Sequence, residues 1–95
     1  MFVIFLKFSE NKSSASEFME GHNKWIKQGF EDGVFLVVGS LKPNLGGSVI
    51  AYNTSLSELQ ERVNSDPFVA KNIVKAEIHE ITPAKTDDRL NFLIG

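Results

Sequence analysis

Two runs of apolar residues, Phe2–Leu6 and Val34–Val38, lack the alternation expected of strands with one wet face. Phe, Val and Ile suit a pleated surface, so Phe2–Phe8 and Val34–Gly39 are predicted strands. Unbroken as they are, they ask both faces of a sheet to leave water. Between them, from Ser14 to Glu31, the apolar residues fall at helical spacing. At roughly 100° per residue, Phe18, Met19, Trp25, Ile26, Gly29 and Phe30 share an arc of about 140° with His22 near its middle. Ser14 and Glu17 have capping-box spacing, and Gly33 after Asp32 is free to take the left-handed cap conformation.

Beyond the second strand, Lys42-Pro43-Asn44 and Gly46-Gly47 predict a turn region, and Ser48–Tyr52 a third strand in a hairpin with the second. Ser55 and Glu58 repeat the capping signature ahead of a Leu56, Leu59, Val63 stripe. Asp66-Pro67 reads as an N-cap and an N1 proline opening a short helix over Phe68–Ile73. Lys75–Ile81 is the predicted fourth strand, stopped by Pro83, and Asp87–Gly95 an apolar tail of unassigned conformation. The order βαββαβ predicts a ferredoxin-like α+β split sandwich, with two helices on one face of a four-stranded antiparallel sheet. Two helices cover only one face. The other needs a second sheet, so a face-to-face homodimer is expected.

At 95 residues the chain fits one domain, 1–95, with 87–95 as its tail. The absence of Cys excludes disulfides and thiolate metal sites and accords with a cytoplasmic location. Phe2–Leu6, ended by Lys7, is too short for a signal peptide or a membrane span. A net charge of −2 gives no pull towards phosphate backbones. The RNA-recognition modules that share this strand order need stacking aromatics in a basic third strand, and Gly47–Tyr52 has one aromatic and no basic residue. No cofactor is expected. No metal is expected either, since His22 and His79 are far apart without a carboxylate motif. His79, between Glu77 and Glu80, reads as a solvated edge residue, Gly46-Gly47 as a hairpin turn and not a phosphate loop, and Glu31-Asp32 and Asp87-Asp88 as solvated charges.

His22 is the residue on which chemistry depends. Apolar neighbours along its helix point it at the sheet. Burial favours the neutral ring unless an acid opposes it, and a neutral imidazole held by a carboxylate is a general base. A core histidine bonded to a backbone carbonyl is the competing reading. Asp66 is the candidate partner: as an N-cap it uses one oxygen, leaving the other for an imidazole N–H.

Several of these residues together form a pattern. His22 and Trp25 in His-Asn-Lys-Trp-Ile, then Gly39-Ser40, Gly46-Gly47 before a strand, Asp66-Pro67-Phe68 and Ile81-Thr82-Pro83 resemble the YciI-like (YCII-related) family over residues 1 to about 85. The resemblance implies a ferredoxin-like fold forming dimeric α+β barrels, akin to muconolactone isomerase. It also implies a site at His22 and Asp66, with Gly39 and Ser40 in a loop lining the pocket and Trp25 completing the substrate-binding set. Ser40 stands where many members have Pro, which alters the local pocket shape and adds a hydroxyl.

Two functions follow as expectations. One is a cofactor-independent lyase, isomerase or dehydrohalogenase-like enzyme acting on a cyclic or aromatic small molecule. In it His22 moves a proton, Asp66 orients His22, and backbone N–H groups near Gly39 and Ser40 hold a substrate oxygen. The other is a non-catalytic ligand-binding or regulatory homodimer, in which the His–Asp pair only shapes a pocket. A cavity at His22 separates them in favour of the first.

Overall fold

The computed structural model describes residues 1–94, so the tail's last residue, Gly95, lies outside the described residues. Its elements are β1 (Phe2–Phe8), α1 (Ala15–Glu31), β2 (Phe35–Leu41), β3 (Gly46–Ala51), α2 (Leu56–Asn64), α3 (Pro67–Ala70) and β4 (Val74–Glu80). The sheet order is β2-β3-β1-β4 with every pair antiparallel. This is the ferredoxin-like α+β arrangement expected from the element order.

The missing alternation of β1 reappears as alternation of burial. Phe2, Ile4 and Leu6 are buried beneath the helices, while Val3 and Phe5 on the other face are half-buried. Ile4 lies between Val49 and Ile78, and Leu6 between Gly47 and Ala76. Trp25, Leu59, Val63, Phe68 and Ile73 close the core from the helical side. In β2 the register slips between Phe35 and Val37, so an extra residue lengthens the apolar run without adding a buried position. Val37, 54% exposed, joins Val3, Phe5 and Ile50 on the open face. On β4 that face is polar: Lys75, Glu77 and His79 are all exposed. Glu77 pairs with His79 at 3.0 Å and accepts from Lys7 at 3.4 Å, contacts that hold its carboxyl below the usual range. The open face is therefore apolar over β1, β3 and β2 and charged along one edge.

Several boundaries differ from expectation. β2 runs on to Leu41 and β3 begins at Gly46, so the turn is confined to residues 42–45 and the glycine pair is strand. Gly46, at φ +130°, could carry no side chain: a Cβ there would lie 2.0 Å from the Leu6 carbonyl oxygen. The Ser14 cap does not form. Ser14 ends a 3₁₀ turn (Lys12–Ser14) with φ −88° and ψ 3°, and this near-helical backbone turns its hydroxyl away from the first-turn N–H groups. Ser55, extended at φ −94° and ψ 163°, accepts the Glu58 N–H at 3.2 Å as expected. The buried arc of α1 is also narrower than its periodicity implies, for Met19 and Phe30 are 42% and 45% exposed.

At its end, α1 is tied to α2. Arg62 Nη2 donates to Asp32 Oδ2 at 2.9 Å and Gln28 Nε2 to Asp32 Oδ1 at 2.7 Å, which together hold the Asp32 carboxyl below its ordinary value. The tail forms 3₁₀ turns over Asp88–Leu93, with Phe92 edge-on to Tyr52 at 5.2 Å. Among the described residues, no helix is long and apolar enough to cross a membrane and no cluster of His, Cys, Asp or Glu is arranged to hold a metal.

Candidate active site

The sharp passage from α2 to α3 builds the acidic half of the site. Asp66 is extended (φ −64°, ψ 125°) ahead of Pro67, whose missing N–H costs nothing at the first helical position. Asp66 Oδ1 accepts the Phe68 N–H at 3.1 Å and completes the cap. The same oxygen lies 2.8 Å from His22 Nδ1, so one atom caps α3 and holds the imidazole of α1. The second oxygen, Oδ2, is buried and meets no hydrogen-bond partner among the described residues. Sequence had assigned the two roles to different oxygens; the structure gives both to Oδ1.

A carboxylate only accepts, so the Nδ1 facing it carries the proton and Nε2 of the neutral ring keeps its lone pair. The ring has little freedom. Phe68 stacks on it at 3.9 Å between centroids with planes 2° apart, and Trp25 lies on it at 5.9 Å and 20°. Asp66 is wholly buried, whereas 13% of the His22 side chain is exposed. His22 lines a cavity of about 310 Å³, and Asp66 does not.

The cavity sits between α1 and the sheet. Its walls are chiefly Leu6, Phe8, Ile26, Val38, Phe68 and Val74, and its polar side chains are His22, Asn23 and Ser40. Gly39 and Ser40 line it from within β2, which corrects their expected place in a loop. Strand N–H groups lie in the plane of the sheet, so those of Gly39 and Ser40 do not point up into the cavity. The Ser40 hydroxyl is what this segment offers a ligand. Trp25 needs a second correction. It stands behind His22 with its Nε1–H donating to the Arg62 carbonyl at 2.8 Å, and it is absent from the cavity wall. It packs against the imidazole and does not line the cavity. Met19, Asn23 and Phe8 do line it and carried no signal in the sequence. Met19 read as core, Phe8 as the end of a strand, and Asn23 stood only inside the His-Asn-Lys-Trp-Ile pattern.

A family model described as the YCII-related domain matches residues 1–84. The chain belongs to the YCII-related family. None of the curated proteins compared with this YCII-related chain matches it. Among solved structures it is similar to the 5-chloro-2-hydroxyhydroquinone dehydrochlorinase of Burkholderia phenoliruptrix AC1100, solved in complex with 2,5-dihydroxybenzoquinone. The TM-score is 0.68 at 13% identity, over 85% of this chain and 93% of that one. At that identity the likeness speaks for the fold alone. The tail beyond residue 84 falls outside the family match.

Proposed function

We propose that this YCII-related chain is a cofactor-independent enzyme that moves a proton on a small ring compound, in the manner of a lyase, an isomerase or a dehydrohalogenase. The observation that carries the reading is His22 Nδ1 at 2.8 Å from buried Asp66, with the ring opening onto a cavity. Loss of HX from a ring gives a proton to a base, turns the freed electron pair into a new double bond and releases X as halide with the C–X pair. Migration of a hydrogen removes a proton at one atom and returns it at another. Neither draws on an outside oxidant. One imidazole suffices for that. His22 Nε2 takes the proton, Asp66 stabilises the imidazolium that results, and Ser40 meets an oxygen of the substrate. The ring-directed activity printed for the structural relative supports the same substrate class. The test is a panel of hydroxylated and halogenated monocyclic compounds offered to wild type and to His22→Gln. Turnover confined to wild type is expected; equal turnover by both would dismiss the proton-transfer role and leave the ligand-binding reading.

The same reading includes a homodimer. Val3, Phe5, Ile50 and Val37 form an apolar strip on the face that no helix covers, and a second copy of this sheet is its simplest cover. Sedimentation at micromolar concentration should return twice the chain mass. A single-chain mass would end the dimer proposal.

A further inference from the structure

Three side chains, His22, Asn23 and Ser40, supply all the side-chain hydrogen-bonding capacity on the cavity wall, and no Lys, Arg, Asp or Glu stands among the lining residues. His22 is already committed on one edge to Asp66, and any charge on its ring is matched by that carboxylate at 2.8 Å. Asn23 and Ser40 are different. Both are exposed, and among the described residues neither side chain has a hydrogen-bond partner within the chain. Ser40 rises from the helix-facing side of β2, opposite Gly47, while Asn23 comes from α1 one residue beyond His22. Helix and sheet thus each bring one neutral, unengaged polar group to the same apolar space.

The surrounding cations are engaged elsewhere. Lys24 and Lys27 border an outer groove that shares Met19 and Asn23 with the cavity, but they pair with Glu20 at 3.6 Å and Glu31 at 3.8 Å. Lys12 Nζ lies 4.6 Å from the Phe8 ring centroid and is not on the cavity wall. A carboxylate brought into this space would lose its water and find no Lys or Arg on the cavity wall, a large penalty. A hydroxyl or carbonyl would lose one water and gain an N–H or O–H donor.

We infer that Asn23 and Ser40 are the specificity-determining pair of this site, and that they select an uncharged, oxygen-bearing monocyclic ring over a ring carrying a carboxylate. This rests on the ring-substrate reading above and deepens it, since Asn23 has no part in the proton transfer. Three probes of similar size test it on the purified full chain: hydroquinone, 4-hydroxybenzoate and toluene, with dissociation constants from NMR titration. Wild type should bind hydroquinone about tenfold tighter than either of the others. Asn23→Leu and Ser40→Ala should each weaken hydroquinone about three- to tenfold and leave toluene unchanged, as loss of one neutral hydrogen bond would. Because both residues are exposed the variants should fold, and the ratio of hydroquinone to toluene affinity reports recognition independently of stability.

Equal or tighter binding of 4-hydroxybenzoate, a ratio unmoved in both variants, or no binding of hydroquinone at millimolar concentration would each overturn the inference. The catalytic reading fails separately. If His22→Gln binds hydroquinone with the wild-type ratio yet matches wild type in turnover, specificity stands and proton transfer falls.

Discussion

Asp66→Asn is expected to lower turnover by about two to four orders of magnitude while the chain still folds. Capping holds the asparagine oxygen at the Phe68 N–H, where Asp66 Oδ1 now sits at 3.1 Å. From there it still accepts from His22 Nδ1, so the ring keeps its tautomer and its place between Phe68 and Trp25. The negative charge is what disappears. An imidazolium formed during proton transfer then faces a neutral amide, and the step loses its electrostatic support. The amide NH₂ replaces Oδ2, which is buried without a partner among the described residues, and an unpaired buried donor costs about 1–3 kcal/mol. Asp66→Ala goes further, because it also removes the cap, worth about 1 kcal/mol, and strands the Nδ1–H. The order of urea midpoints should be wild type, Asn, Ala, whereas turnover should be lost in both variants alike. An asparagine variant as fast as wild type would show that the carboxylate serves only the fold.

That separation explains why Asp66 was legible in the sequence and its partnership only partly so. Asp-Pro before an aromatic announces a helix start by local chemistry alone, and the cap formed where expected. The inward aim of His22 followed from helical periodicity, which works where a packed face exists. Ser14 shows where this reasoning ends. Its spacing to Glu17 matches that of Ser55 to Glu58, yet the backbone before it is already coiled, a property fixed by the link from β1 and not by the motif. The β2 bulge likewise hides inside a uniform apolar run, since either register buries Val, Leu or Phe. Trp25 was misplaced for a related reason: periodicity assigns a residue to a face but not to a depth, and the indole stops one layer behind the cavity. Asn23 left no trace because a polar residue on a helix flank looks the same whether it borders solvent or a ligand.

Gly47 gives the most direct way to ask whether the cavity is the site at all. It stands on the helix-facing side of the sheet between Leu6 and Ser40, where the only atom within 4 Å of an added Cβ is the Gly39 carbonyl oxygen at 3.4 Å. Its φ is not in the left-handed region, unlike that of Gly46 one residue earlier at +130°. Valine at 47 therefore meets an extended backbone it favours and projects into the space now lined by His22, Phe68 and Ser40. Burying that side chain is worth about 1.5–3 kcal/mol, and a strand-interior glycine is itself unfavourable, so Gly47→Val should melt no lower than wild type. Ring probes, by contrast, should lose about a hundredfold or more in affinity, because the isopropyl group occupies the volume they need. Gly46→Val is the contrasting case: its Cβ would fall 2.0 Å from the Leu6 carbonyl oxygen, and loss of folding is expected. A stable Gly47→Val protein that binds hydroquinone as wild type does would place the ligand outside this cavity and out of reach of the proton transfer proposed for His22.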